Sequence, residues 1–386
     1  MYTGPFSPHE AAHLLRRAAV RGTRQEAEAL AEMGLDRAVE QLLRDPEPAP
    51  EPDLDSEARA SSGKLHRRLV LHWLGHWLRT DTPAAERLTL FWSGHFTSEF
   101  RKVKSPRLIW QQNRTLRRLG PGLFPELLNA VARDPAMLVY LDNAQSRKEH
   151  PNENWGRELL ELFTLGEGNY GEDDVQAAAR AFTGWSVTPP RKARKEGRPV
   201  SFEYRPRWHD DAPKTFLGHT VQGGEEVLEV LAAHPQTYRF LAGKLLRFYL
   251  APEPPAALVE EATAVLKDTG TYGLLRWLFT YEAFYAPQVR SALVKSPIEY
   301  LVSLLYVGRD LPERALGRAL VSMGQVPFQP PNVAGWPSGQ AWLGDAALLA
   351  RLNLLPAVLE ETSDLYVFAD GARDAYDAVL PQAQML

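Results

Sequence analysis

The chain contains no cysteine. Disulfides, thiolate metal sites and cysteine nucleophiles are therefore excluded, and a metal could be held only by His, Asp, Glu, Asn or backbone oxygen. No apolar run reaches the roughly 18 to 20 residues that a membrane span requires. The opening MYTGPFSPHEAAHLLRR lacks the basic-then-apolar order of a secretory signal, so a cytoplasmic protein is the expectation. Strong charge of one sign is also missing: the formal net charge is −4, which argues against a general polyanion binder. Basic runs at 101–104, 114–118 and 191–198 come with no zinc-finger, helix-turn-helix or RNP-type signature. They read as solvated faces and loops, and no nucleic-acid partner is expected. A nucleophile-elbow Gly-x-Ser-x-Gly is absent, as are Walker-type and dinucleotide glycine fingerprints, so ATP and NAD chemistry is not expected.

What is present is helix signal. At 386 residues, with 44% hydrophobic and 24% charged, the chain can bury a large core. Ser7-Pro8-His9-Glu10 is a capping box with proline at the first helical position, opening a helix to about residue 21; Thr23 with Glu26 repeats the device. The acidic, proline-rich DPEPAPEPDLD at 45–55 cannot be helical and reads as a surface bridge. Amphipathic periodicity then predicts helices at about 56–79, 83–96, 106–118, 121–132, 135–141, 153–165 and 172–183. It resumes at 225–233, 235–250, 256–268, 271–282, 296–307, 312–323 and 340–355. Two segments interrupt it, 186–224 and 325–339, the first with strand-like runs near 202–204 and 215–217. With no internal repeat and no βαβ alternation, the expectation is one all-α domain over 1–386. It would carry two long irregular loops and at most a small β-hairpin.

The stretch PNENWGRELLELFTLGEGNYGEDDVQAAARAFTGW, residues 151–185, carries the densest chemistry. At about 100° per residue, Trp155, Leu159, Leu162 and Phe163 share one arc, and Glu153, Asn154, Arg157, Glu158 and Glu161 the other. A solvated face would look like this, but three carboxylates around one cation, flanked by amides, also suit an enclosed polar site.

This run resembles the signature of the bacterial domain of unknown function 1800 family: Asn-Glu-Asn, Arg-Glu-Leu, Glu-Leu-Phe-Thr-Leu-Gly, then Ala-Phe-Thr-Gly-Trp. Further blocks resemble the family in order along nearly the whole chain. They are Ala11 to Arg17; Leu90-Phe91-Trp92 with His95-Phe96-Thr97 and Lys102-Val103-Lys104; and Asp134 to Met137 with Tyr140 to Gln145. His209-Asp210-Asp211 with Lys214 to Gly218, then Lys295-Ser296-Pro297 and Pro330 to Pro337, complete the series. The resemblance implies no established activity. It implies a partner, because family members are often encoded beside a protein of the domain of unknown function 1501 family, itself similar to sulfatases and alkaline phosphatases.

From the residues, the candidate site gathers His95, Asp142 with Asn143, the run Asn152 to Glu158, and His209 with Asp210. Hard divalent cations take carboxylate and amide oxygen, and imidazole widens the choice to zinc, manganese or iron. Asp142, Glu153, Glu158 and His209 are thus the candidate ligands of a divalent metal ion. Glu158, Arg157, His209 and Asp210 are the candidate catalytic groups of a hydrolase-like or transferase-like enzyme. His95, Asn143, Asn152, Asn154, Lys214, Asn332 and Trp336 would bind substrate, the last as a stacking surface. An ion-pair network that fixes helix register explains the same carboxylates, and a non-catalytic helical scaffold is the rival function. The pair His209-Asp210 invites comparison with HD-type phosphohydrolases but sits in a loop, not on a helix. His72 and His76 share a face at i, i+4 but lack the zincin glutamate, since position 73 is Trp.

Overall fold

A computed structural model describes residues 1–54, 61–308 and 310–358. These residues form nineteen α-helices, from Pro8–Ala18 to Asp345–Val358, with two small antiparallel sheets. The buried apolar side chains make one continuous cluster from Ala11 to Val358. Trp73, Trp77, Trp92, Trp110, Trp155 and Trp185 are all fully buried within it. At about 25 cal/mol per Å² and 150–250 Å² per aromatic ring, each contributes roughly 4–6 kcal/mol before the cost of ordering. Among the described residues no helix is long and apolar enough to cross a membrane.

The capping signals hold. Ser7 and Glu10 close a reciprocal box at Pro8–Ala18, Thr23 and Glu26 another at Arg24–Met33, and Ser296 and Glu299 a third at Pro297–Val307. The central element is Pro83–His95. Ala84 through Trp92 are all buried, so this helix has no solvated face. It packs against Pro8–Ala18, Ser62–Arg79 and Pro106–Leu119. A charge on such a helix needs a partner, and Glu86 has several: Arg117 Nε at 2.5 Å, Arg117 Nη2 at 2.7 Å and Trp73 Nε1 at 2.6 Å. His76 lies 3.3 Å from the same carboxylate, while His72 bonds the Pro50 carbonyl at 2.7 Å. The His72/His76 pair therefore serves packing and ion pairing.

Three places test these expectations. The helices expected at 256–268 and 271–282 both form, and Gly270 (φ 72°, ψ −172°), whose backbone is not helical, separates them within Ala256–Phe279. A Cβ at Gly270 would lie 2.6 Å from the Gly122 carbonyl, so backbone packs on backbone there. The segment 186–224 is not irregular. β1 (Trp185–Val187) pairs antiparallel with β2 (Phe202–Tyr204), and β3 (Lys214–Phe216) with β4 (His219–Val221), around a short helix Pro190–Lys195. The strand-like runs expected near 202–204 and 215–217 are thus β2 and β3, and their partners β1 and β4 make two small sheets where at most one hairpin was expected. The third is the signature helix, which spans Glu153–Glu161 and stops four residues before the expected 165. Leu162 N and Phe163 N both donate to the Glu158 carbonyl, Leu165 N and Gly166 N to that of Leu160, and Gly166 (φ 80°) ends the turn. The start expected at residue 56 lies partly outside the described residues; the helix is described from Ser62.

Candidate functional site

Several of the polar signature residues are committed to holding the chain in place. Asn152 caps the Glu153–Glu161 helix: its Oδ1 accepts from Trp155 N at 3.2 Å and its Nδ2 donates to the Leu141 carbonyl at 2.7 Å. Asn143, fully buried, donates to the Phe182 and Trp185 carbonyls at 3.3 and 3.4 Å. His209 lies against the Thr183 carbonyl through Nδ1 at 2.8 Å. Asp210 accepts from Arg180 Nε at 2.7 Å, which first among several causes lowers its pKa. Lys214 donates to the Asp210 carbonyl and, at 2.5 Å, to that of Gln222. These bonds knit the 142–152 turn, the 182–185 turn and the 205–214 loop to one another.

The remaining charges face outward. Asp142, in the left-handed region (φ 60°), is exposed and pairs with Lys102 at 2.6 Å. Glu153 and Asn154 are exposed. Arg157 pairs with Glu172 at 2.7 Å, not with Glu158. Glu158 is half-buried; burial, then Glu161, raises its pKa. Asn332 is exposed and accepts from Ala334 N at 3.0 Å. Among the described residues no group of three or more His, Asp or Glu side chains could hold a metal ion. The set Asp142, Glu153, Glu158 and His209 therefore does not form a shared ligand sphere. Because Glu158 has no ion-pair partner to strand, Glu158→Gln is expected to stay within roughly ±0.5 kcal/mol in denaturant melts. A loss of several kcal/mol would show a buried pair that the geometry does not contain.

Two of the expected binding residues, His95 and Trp336, point to a different place. They line a cavity of about 290 Å³, close to the lower size of small-molecule sites. Its walls come from five parts of the chain: the end of Pro8–Ala18, the end of Pro83–His95, the Pro235–Tyr249 helix, the run 290–299 and the loop 334–342. The lining includes Arg16, Arg17, Arg87, Lys244, Arg247, Arg290 and Lys295, seven cations, against one carboxylate, Glu299. Leu90, Phe91, Phe248, Trp336 and Trp342 supply apolar surface. Arg247, Ser291 and Ser338 are exposed, so the cavity reaches solvent on that side. The 186–224 segment contributes no lining residue.

Glu299 is already spent. It accepts from Arg87 Nε and Ser296 N, both at 2.8 Å, and although burial pulls its pKa up, Arg87 holds it below the usual value. Arg290 donates to Glu10 at 2.8 Å. Arg17 donates to the Val289 and Arg290 carbonyls at 2.5 and 3.3 Å and meets no carboxylate among the described residues; burial, then Arg87 and Arg16, drive its pKa well down. Burial, then Arg16, brings the Lys295 amine to about 7, and burial, then Arg247, brings Lys244 to about 8. Burial is the first cause of each of these shifts. His95 sits 2% exposed with Nε2 at 3.1 Å from the Phe163 carbonyl; burial, then Lys244, keeps it neutral at physiological pH. Since a carbonyl can only accept, Nε2 carries the proton, and Nδ1 is a lone-pair acceptor, buried without a hydrogen-bond partner.

The sequence hid this site because its cations are scattered over residues 16–295, most of them in helices that could have been solvated and Lys295 in the connection after Pro287–Arg290. One local signal existed. In Pro8–Ala18 the residues Glu10 through Ala18 are buried all round, so Arg16 and Arg17 had to be enclosed.

The family model described as "protein of unknown function (DUF1800)" matches residues 13–385. The chain belongs to the DUF1800 family. No curated protein and no solved structure matches it. Four of the blocks that carried the resemblance to DUF1800 meet at the cavity: Arg16-Arg17, His95, Lys295-Ser296 and Ala334 to Pro337. Other DUF1800 blocks build turns and caps, including Lys102 with Asp142 and Asp134 as the cap of Pro135–Tyr140.

Proposed function

We propose that the chain takes a small organic oxyanion into the arginine-lined cavity and acts on it there as a hydrolase-like or transferase-like enzyme. One observation carries this reading: among the described residues, seven basic side chains and a single, already paired carboxylate line one cavity. Guanidinium groups match phosphate, sulfate and carboxylate geometry, and their attraction strengthens where water is scarce. Fixed cations of this kind also stabilise charge that develops on oxygen during acyl, phosphoryl or sulfuryl transfer. Lys244, with an amine near 8 and no carboxylate partner in contact, is suited to give a proton to a leaving group. A divalent metal ion does not suit this cavity, whose fixed charge would repel it, and no step is assigned to one.

Saturable binding of inorganic sulfate tests the reading, with sodium chloride at equal ionic strength as control. Sulfate is expected to raise the melting temperature along a saturating curve that chloride does not reproduce. Arg290→Gln and Lys244→Gln, both at partly exposed positions, are each expected to weaken sulfate binding about tenfold or more in calorimetry. Equal, unsaturated responses to both salts would overturn the proposal.

A second reading keeps a specific observation on its side. The signature carboxylates are tied up in pairs, Asp142 with Lys102 and Asp210 with Arg180, as a register-fixing network requires. In that reading the chain is a non-catalytic helical scaffold acting with a sulfatase- or phosphatase-like protein of the domain of unknown function 1501 family.

A further inference from the structure

Most of the cations around the cavity already hold partners. Arg87 is bonded to Glu299, Arg290 to Glu10 and Arg17 to the Val289 carbonyl, and Arg16 and Lys295 are engaged as well. Lys244 and Arg247 differ: among the described residues neither donates a hydrogen bond or meets a carboxylate. They stand one turn apart on the Pro235–Tyr249 helix and so share a face, together with Phe240 and Phe248. The Lys244 amine lies 5.2 Å from the centre of the Phe240 ring. Its charge acts on both His95 and Arg247, which line the cavity with it. The uncommitted positive charge is thus on the side where exposed Arg247 opens the cavity to solvent.

The rest of the lining says what such an anion is attached to. Hydroxyl and amide side chains are few: among the described residues they are Ser291, Ser296, Ser338 and Gln325. Ser296 caps the Pro297–Val307 helix, Gln325 accepts from Ile298 N at 2.9 Å, and the other two are exposed. A polyhydroxylated body would lose its water on entry and regain few hydrogen bonds. Apolar surface is plentiful instead. Phe91 and Phe248 meet edge to face, 5.3 Å between centroids at 62°, and Leu293, Val294, Trp336 and Trp342 line the same space. Rings placed this way accept a further ring edge-on or offset. The volume of about 290 Å³ is small for a ligand site and suits a short ring body better than a long acyl chain. Gly335, at φ 90°, packs its backbone on the Gly94 carbonyl so closely that a Cβ would collide with it, and this seats Trp336 against the end of the Pro83–His95 helix.

We propose that the oxyanion taken by this cavity is carried on an aromatic ring, as in an aryl phosphate or aryl sulfate, with the oxyanion against Lys244 and Arg247 and the ring against Phe91, Phe248 and Trp336. The inference rests on the anion reading above and narrows it to one substrate class. The charged head stays at the solvent side, where the two uncommitted cations are, and the ring leaves water for the apolar wall. The paired arginines contribute positive potential to the same space.

Calorimetry on the full chain separates the two readings. The probes are phenyl phosphate, phenyl sulfate, inorganic phosphate, inorganic sulfate, glucose 6-phosphate and phenol. At least one phenyl ester is expected to bind about tenfold or more tighter than its inorganic anion and than glucose 6-phosphate, the gain from burying one ring. Whichever ester is tighter identifies the head group, and phenol, which lacks the head, is expected to bind about tenfold or more weakly than that ester. Trp336→Ala, at a partly exposed position, is expected to remove most of the phenyl advantage and leave inorganic sulfate within about twofold. Arg247→Gln is expected to weaken the phenyl esters and inorganic sulfate alike. A phenyl ester no tighter than its inorganic anion, a glucose ester as tight as a phenyl ester, or phenol as tight as either ester overturns the aryl inference on the unaltered protein, without needing any variant to fold. Inorganic sulfate that fails to saturate would sink the anion reading beneath it.

Discussion

Glu86→Gln is expected to lower the stability of the fold by about 3–5 kcal/mol in denaturant titration. The carboxylate is completely buried on a helix with no solvated face and receives three donors, two from Arg117 and one from Trp73. A carboxamide has nearly the same shape but offers one oxygen in place of two, and its amino group would meet a donor. Arg117, 3% exposed, would be left as an enclosed and uncompensated cation. The same group sets the acid limb. Burial alone would raise its pKa, but Arg117 outweighs that and holds it at about 2, against 4.5 for the free side chain. A depressed folded-state pKa contributes stability that is fully present above 4.5 and is lost as pH falls from there towards 2. The variant should therefore be less stable at neutral pH and flatter across that acid range. A loss under about 1 kcal/mol, with an unchanged acid limb, would show that the pair is not a fastener of the core.

Sulfate affinity is expected to fall by at least roughly tenfold between pH 6 and pH 9. Sulfate keeps its charge throughout, so the change has to come from the protein. Arginine guanidinium groups ordinarily keep their charge over this range. Glu299 and Glu10 are held below the usual carboxylate value, and His95 stays neutral. That leaves Lys295, at about 7, and Lys244, at about 8. An anion binds their protonated forms, so binding should take up protons at pH 8 and weaken as either amine loses its proton. Without ligand the sign reverses for stability. Amines whose pKa lies below 10.5 make the unfolded chain the better proton binder, so their contribution to stability rises with pH from about 7 upward. Calorimetry in buffers of different ionisation enthalpy measures the proton uptake directly. Affinity independent of pH would remove both lysines from the site.

Local chemistry made the helices legible, and the site was illegible for a related reason. Ser7, Thr23, Asp134 and Ser296 declare helix starts because capping needs an oxygen at one fixed position, and all four do cap. Asn152 does the same, which is why its neighbourhood looked chemical: an amide that must bond neighbouring backbone resembles an amide waiting for a substrate. Burial of a charge leaves no such mark. Arg17 and Lys295 are separated by most of the chain, and only packing brings them to one space. His95 and Trp336 were singled out from sequence and do line that space, but their companions were expected near Glu158 and are instead the cations of four segments spread along the chain.

The contact between Gly335 and Gly94 bears on how this site could change over time. A wall seated by a side chain can be adjusted in small steps, one methyl group at a time. A wall seated by main chain against main chain offers no such gradation, because any substitution at Gly335 adds a Cβ where the neighbouring carbonyl already stands, at a φ that only glycine adopts freely. The frame that presents Trp336 is in that sense all-or-nothing. Variation in what the cavity accepts is accordingly confined to the residues hung on the frame, Trp336 and Trp342 on one side and the outer cations Lys244 and Arg247 on the other.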